Sequence, residues 1–336
     1  MENLGTYAVT IVTGLVGAAL AALLGIPAGP LIGSTLAVVA VAAMGRRVGL
    51  PVGLRDVAFA TIGVSLGSGI DERVFDQLGT WAASLAILVA SLIATLGLGR
   101  LILTRGFGLD PQTATLASSP GTMSNAIAIA AEGRGDATAV MFLQLMRLLI
   151  LVISVPPLAT ALEGSASGNI GGREAMPVLS FAVMLLLAIG VGRLGARAGI
   201  PAASLLAGMI VSASGHATAL VDGMPPSWAI FAAFATTGAV LSSRMSRVTG
   251  AQVKRHLQAG LATVAVAIAL SLGFALIAQL ATGLPFTQVW IAYAPGGVEA
   301  MAAIGLSLGY DPAYVAVHHF ARILALVVLV PLALRL

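Results

Sequence analysis

Of the 336 residues, 58% are hydrophobic and only 9% charged, with a mean hydropathy of +1.02; a soluble domain carries about a quarter charged residues, so lipid is the natural solvent of this chain. It has no cysteine, which excludes disulfides, zinc–thiolate sites and thiol chemistry. The net charge of +4 does not point to a nucleic acid, because basic residues in so apolar a chain report membrane topology.

A membrane helix needs about 20 apolar residues, and on that scale the chain reads as twelve apolar segments. The first, 5–24, follows Met1-Glu2 without a basic leader and is long enough to cross, so it reads as a span rather than a cleaved signal. Segments 28–45, 51–70, 79–99, 112–134 and 137–160 complete one half, and 176–195, 201–220, 226–243, 258–281, 287–309 and 312–334 form the other. Two segments are broken in the middle by helix-terminating Pro-Gly: Ser119-Pro120-Gly121 and Ala294-Pro295-Gly296-Gly297. The connections are too short for a soluble domain.

The halves repeat. Gly25-Ile26-Pro27-Ala28 matches Gly199-Ile200-Pro201-Ala202 at an offset of 174. At an offset of 175, Phe59-Ala60-Thr61 and Gly63 match Phe234-Ala235-Thr236 and Gly238. In the same register Pro120-Gly121 matches Pro295-Gly296, Asp136 matches Asp311, Arg147 matches Arg322 and Pro156 matches Pro331. Coincidence at Pro, Asp and Arg in one register is not expected from apolar composition, so residues 1–170 and 171–336 read as two copies of one unit.

Charge decides their orientation. With twelve full crossings, seven Lys/Arg fall on one side and eight on the other, which is no bias. If each Pro-Gly segment instead dips in and returns, each half crosses five times and the second is inverted. Thirteen Lys/Arg then face the cytoplasm and two, Arg73 and Arg173, face out. That is the positive-inside pattern of short loops. The predicted fold is an all-α polytopic protein with two inverted-topology repeats, each of five crossings plus one re-entrant hairpin. It is expected in a bacterial inner membrane with both termini cytoplasmic.

Opposed hairpins bring their tips to the midplane, where transporters place substrates. Ser119, Gly121, Thr122 and Ser124 in the first tip, with Gly296 and Gly297 in the second, are the candidate binding residues, since a returning helix presents free N–H groups and a positive dipole end. Arg147 lies about ten residues, roughly 15 Å, into its helix, a depth at which a charge costs several kcal/mol. Arg322 is its mate. The two either coordinate an anion or hold the hairpins through ion pairs or bonds to broken-helix carbonyls; Gln144 and His319 stand three residues earlier on the same faces. Glu299 reads as a proton carrier or a fixed counter-ion, and His319 as a candidate relay. Thr61 and Thr236, with Gly63 and Gly238, read as packing positions, and Arg55-Asp56 as an interfacial pair.

These duplicated tips, each followed by an aspartate and an intramembrane arginine, resemble the AbrB-type membrane protein family, whose members carry the AbrB duplication and are labelled regulators of aidB expression or ammonia monooxygenases. The likeness covers nearly the whole chain and is closest from Ala294 to Pro331; the first tip departs, with Thr122 where a second glycine is expected. This family is unrelated to the soluble DNA-binding proteins of that name. The layout is also similar to that of glutamate and citrate carriers, in architecture alone. The regulatory label implies an indirect or partner-mediated role, because no loop could form a DNA-binding unit. The monooxygenase label needs metal ligands, which four scattered histidines and one core carboxylate do not supply. The expected function is secondary transport of a small anionic solute, with H+ or Na+ as candidate coupling ions, no cofactor, no metal and no enzymatic activity. Membrane lipid and a second copy of the chain, as a homodimer, are the expected partners.

Overall fold

The computed structural model describes residues 2–69, 73–121, 123–163, 174–244 and 248–335. Every apolar segment is helical. In chain order the helices are α1 Glu2–Leu23, α2 Gly29–Ala43, α3 Val52–Gly67, α4 Arg73–Leu101, α5 Pro111–Ser118, α6 Met123–Ala131, α7 Ala137–Glu163, α8 Val178–Arg197, α9 Ala203–Ala217, α10 Ser227–Ser243, α11 Gly250–Thr282, α12 Phe286–Tyr293, α13 Val298–Ser307 and α14 Pro312–Ala333. A π turn, Ile102–Gly106, prolongs α4. No strand occurs among the described residues, only an isolated bridge between Ala175 and Met224.

Six of these helices are long and apolar enough to cross a membrane: those over Leu4–Leu23, Trp81–Gly106, Ala137–Leu162, Val178–Arg197, Gly250–Thr282 and Ala313–Ala333. Their outward faces carry bare leucines such as Leu23, Leu179 and Leu280, surface that only lipid makes tolerable. The chain is a multi-pass membrane protein.

Local chemistry sets the helix ends. Asp110 caps α5 by accepting from the Thr113 N–H at 2.9 Å, and Pro111 takes the first position, where a missing N–H costs nothing. The repeated aspartates do the same work twice: Asp136 accepts from the N–H groups of Thr138 and Ala139 at the start of α7, and Asp311 from that of Ala313 at the start of α14. Thr249 and Gln252 form a reciprocal capping box on α11. The paired GIPA turns also agree: Ala28 and Ala202 both adopt a left-handed backbone with φ of 52°.

The chain forms two compact units, and each draws on both halves of the sequence. The first comprises Met1–Gln77, Val155–Ser246 and Glu299–Ala313; the second comprises Leu78–Ser154, Arg247–Val298 and Tyr314–Leu336. The first unit packs α2 on α10 and α3 on α9. These contacts are reciprocal: a Cβ at Gly63 would overlap the Leu205 carbonyl of α9, and a Cβ at Gly238 would overlap the Leu31 carbonyl of α2. Small residues let the backbones approach that closely, as expected for these positions. Ser34 donates to the Ala235 carbonyl at 2.6 Å and Ser242 to that of Thr35 at 2.8 Å across the α2–α10 contact. Thr61 donates to Val57 in its own helix, and Arg55 pairs with Asp56 at 2.8 Å.

The second unit holds both Pro-Gly breaks. Leu92, Leu96, Leu103, Leu116, Phe142, Leu143, Met146 and Leu326 form its apolar core. The Asp136 N–H donates to Thr113 Oγ1 at 2.7 Å, so the start of α5 and the residues just past α6 sit together. The segment between them therefore turns back at its Pro-Gly and is a hairpin.

The α3–α9 crossing generates a stability prediction. Gly63→Ala and Gly208→Ala should each cost about 1–3 kcal/mol through overpacking, because a Cβ at either position overlaps facing backbone, the Leu205 carbonyl for Gly63 and the Ala60 carbonyl for Gly208. Gly53→Ala, on the same helix with open space around it, should be neutral or mildly stabilising. Thermal unfolding of the three detergent-purified variants, compared with the unsubstituted protein, checks the contrast.

Candidate functional site

A helix that stops inside a membrane protein leaves its last carbonyls without intrahelical donors and concentrates negative dipole there. Helix α5 stops at Ser118 and α12 at Tyr293, and the proline that follows within two residues cannot donate. Arg147 supplies the first of these ends. One terminal nitrogen donates to Ser119 O at 3.0 Å, and the other lies 3.4 Å from Ala117 O and 3.5 Å from Ser118 O. Arg322 supplies the second, donating to Ala294 O at 2.6 Å and Gly296 O at 2.5 Å. One turn earlier Gln144 donates to Leu116 O at 2.8 Å and His319 Nε2 to Ile291 O at 3.1 Å. At the repeat offset of 175 the Gln144–Leu116 and Arg147–Ser119 pairs match His319–Ile291 and Arg322–Ala294, while the second carbonyl of each arginine differs.

Both arginines are buried, Arg147 at 5% exposure and Arg322 at 0%. Hydrogen bonds from a charged donor contribute about 1.5–3 kcal/mol each, and here they satisfy groups that would otherwise be orphaned. Of the two roles the residue types allowed, holding the broken helices is the one the terminal nitrogens perform. Arg147 and Ser118 line a cavity of about 10 Å³ with Thr95, Gly99 and Thr263, room for about one water, and Arg147 Nε and Ser118 Oγ are buried without a partner among the described residues.

The tips converge. Gly121 has φ of +97°, and a Cβ there would lie 3.1 Å from Arg322 Nε and 3.3 Å from one of its terminal nitrogens. The turn of the first hairpin thus rests on the arginine that holds the second break; the positive φ favours glycine, and a Cβ there would press on the Arg322 guanidinium. Ser119 is buried, with its hydroxyl donating to Leu116 O at 2.9 Å. Gly296 is buried and Gly297 half-buried, directly before the start of α13. Thr122 and the side chain of Ser124 lie outside the described residues. Glu299 is half-buried in the first turn of α13 and belongs to the first compact unit.

One cluster escaped the reading of the residues. Ser84 Oγ on α4 lies 2.9 Å from His318 Nε2, 2.5 Å from the Tyr314 hydroxyl and 3.2 Å from the Tyr293 hydroxyl, which also donates to Ser84 O. His318 Nδ1 donates to Tyr314 O at 2.8 Å. Tyr314 and His318 are four apart on α14, the spacing that puts two side chains on one face. Their partner Ser84 stands 234 residues from His318.

The arginine bonds generate a prediction on stability. Arg322→Lys keeps the charge and loses the fork that reaches two carbonyls at once, so it should lower stability by about 1–3 kcal/mol. Gln144→Leu, which removes one of two donors to Leu116 O and leaves the Ser119 hydroxyl on it, should cost about 0.5–1.5 kcal/mol, the net weight of one hydrogen bond. Thermal unfolding in detergent measures both.

Comparison with known proteins agrees with this architecture. A family described as "Transition state regulatory protein AbrB" matches residues 30–336. The chain is 28% identical over 294 residues to "Uncharacterized protein YhjN" of Bacillus subtilis (strain 168), covering 82% of this chain and 76% of that one. It is 29% identical over 152 residues to "Putative regulator AbrB" of Escherichia coli (strain K12), covering 45% and 43% respectively. A membrane-helical chain whose family match runs from the second helix to the last residue belongs to the AbrB family.

Proposed function

We propose that the chain is a secondary transporter of a small anionic solute, with its site where the two broken helices meet. The observation that carries this reading is the approach of Gly121 to Arg322, which brings two interrupted helices to one place. Helix α6 follows the first tip and α13 the second, and helix starts suit a carboxylate or an oxyanion. In this reading the backbone around Gly121, Gly296 and Gly297 grips the solute. Arg147 and Arg322 contribute position and positive field while their terminal nitrogens hold the carbonyls.

The inverted arrangement of the halves belongs to the same reading. It is supported by the thirteen-to-two division of Lys and Arg, by the reciprocal glycine contacts of α3–α9 and α10–α2, and by the closed hairpin between Thr113 and Asp136. Ten full crossings and two re-entrant hairpins follow, with both termini cytoplasmic and the solute driven by H+ or Na+.

A second reading is favoured by the descriptions of the family and of its Escherichia coli member: a membrane-embedded regulator that senses a solute and acts through a partner protein. Sensing and transport need the same site. They separate in proteoliposomes, where a transporter exchanges a labelled solute by itself and a sensor only binds it.

Two measurements test the proposal. Citrate, succinate, phosphate and sulfate are screened against the purified protein by thermal shift; at 100 times its Kd a ligand adds about 2.7 kcal/mol, so at least one should raise the melting temperature by several degrees. Gly121→Ala, which strains the tip and displaces Arg322, should abolish that rise. A flat response to all four counts against the anion site. Because the chain lacks cysteine, single cysteines report topology cleanly: those replacing Glu163 and Asp222 should label from outside and one replacing Ala251 only from inside. External labelling at residue 251 refutes the inverted repeats.

A further inference from the structure

The Ser84–Tyr293–Tyr314–His318 cluster is not required to build the repeat. At the matching positions the other half of the duplication has Ala259 for Ser84, Ser118 for Tyr293, Ala139 for Tyr314 and Leu143 for His318. The first half also holds its broken helix by an arginine bonded to its end carbonyls, Arg147 to Ser119 O, without any such network. A buried polar network is costly unless every member is satisfied, and intramembrane ionisable residues mark functional pathways by default. The cluster is therefore an addition to one half, and it touches Tyr293, the last residue of α12, next to the Ala294 carbonyl that Arg322 holds.

We propose that His318 is a proton-binding site, with Ser84, Tyr293 and Tyr314 as the groups that let it take and release one proton inside the protein. The hydrogen bonds close in both forms. Nδ1 faces the Tyr314 carbonyl, an acceptor only, and so carries a hydrogen in either form. In the neutral form Ser84 donates to Nε2 and accepts from the Tyr314 hydroxyl, while the Tyr293 hydroxyl donates to Ser84 O. A proton arriving from water forms a new N–H bond at Nε2, which then donates to Ser84 Oγ. The Ser84 hydroxyl turns to the Tyr293 oxygen, 3.2 Å away. No heavy atom moves and no group is orphaned. Loss of the proton reverses the turn.

The neighbouring histidine lacks this provision. His319 Nε2 already donates to Ile291 O, its Nδ1 has no partner among the described residues, and Arg322 is three residues on. Around His318, α4 brings Ser84 and Trp81, α12 brings Tyr293, and α14 itself carries Tyr314, His319 and Arg322. Helix α11 touches α12 through Ser271 and Trp290, and its charged and titratable groups Lys254, Arg255 and His256 lie in its first two turns. The proton's task, coupling, rests on the transport reading; its binding does not. In that scheme His318 replaces Glu299 and His319 as the carrier, and its position against Tyr293 ties the protonation state to the end of α12.

The test is nitrogen NMR of the four histidines in 15N-histidine-labelled protein in lipid nanodiscs, from pH 8 to pH 5. His318 is assigned with His318→Gln or, if that variant does not fold, by exclusion using single replacements of His216, His256 and His319. At pH 8 the His318 ring should be neutral with its hydrogen on Nδ1; on acidification the doubly protonated ring should appear while the protein stays folded. Tyr293→Phe, which removes the oxygen that receives the turned Ser84 hydroxyl, should cut the protonated fraction at a given pH about tenfold, the weight of one hydrogen bond in a charged network. A ring that stays neutral down to pH 5, a hydrogen on Nε2 at pH 8, or a Tyr293→Phe titration equal to the unsubstituted one overturns the proposal. None of these outcomes bears on anion binding, which the thermal-shift screen decides separately.

Discussion

The second compact unit depends on one electrostatic problem and its solution: two helices end inside the protein, and each buried end is supplied by a guanidinium. Without a donor, the last carbonyls of α5 and α12 would sit unsatisfied in the protein interior, where Ser119 and Ala294 are fully buried. Lysine would supply one point charge; arginine reaches carbonyls separated along the chain with a rigid fork. Only with those carbonyls held can the breaks be tight turns of Pro and Gly instead of frayed helix ends. The cost of burying two cations is offset at the same place, because the dipole ends they face are negative. The approach of Gly121 to Arg322 then follows from the same bonds, since the arginine that holds one break is also the surface on which the other tip rests.

This arrangement was legible in the sequence to unequal depths. Helix breakers act locally, so Pro120-Gly121 and Pro295-Gly296 announced the interruptions, and the repeat register paired Arg147 with Arg322. The partners of the arginines were not legible, because a backbone carbonyl has no letter of its own. A carbonyl becomes a ligand only when a helix stops beneath it. The Ser84 cluster was hidden for another reason: serine in an apolar helix commonly bonds its own preceding turn, as Thr95 does with Ser91, and nothing local distinguishes the serine that reaches across to α14. Ala28 and Ala202 show a third limit, since a left-handed backbone at alanine runs against the preference that makes glycine the usual choice.

The halves of the sequence and the compact units of the fold divide the chain differently, and the reason is physical. A single half has faces that its own helices do not cover, so α2 finds its neighbour in α10 and α9 finds its neighbour in α3. Glycine at the crossing points makes the fit close enough to be specific. Each unit is thereby assembled from stretches distant in sequence, and a loop or a residue cannot be assigned to one by its position along the chain alone.

The reciprocity of those glycine contacts has an implication for the history and the use of the protein. Residue 63 meets residue 205 as residue 238 meets residue 31, which is the self-complementary pattern of an isologous interface between identical subunits, here contained in one polypeptide. Within one polypeptide each half is free to change alone. The copies differ at many positions, among them Ser118 against Tyr293 and Leu143 against His318. Two identical subunits must carry the same residue at equivalent positions, whereas one chain can place Tyr293 and His318 in one copy and Ser118 and Leu143 in the other.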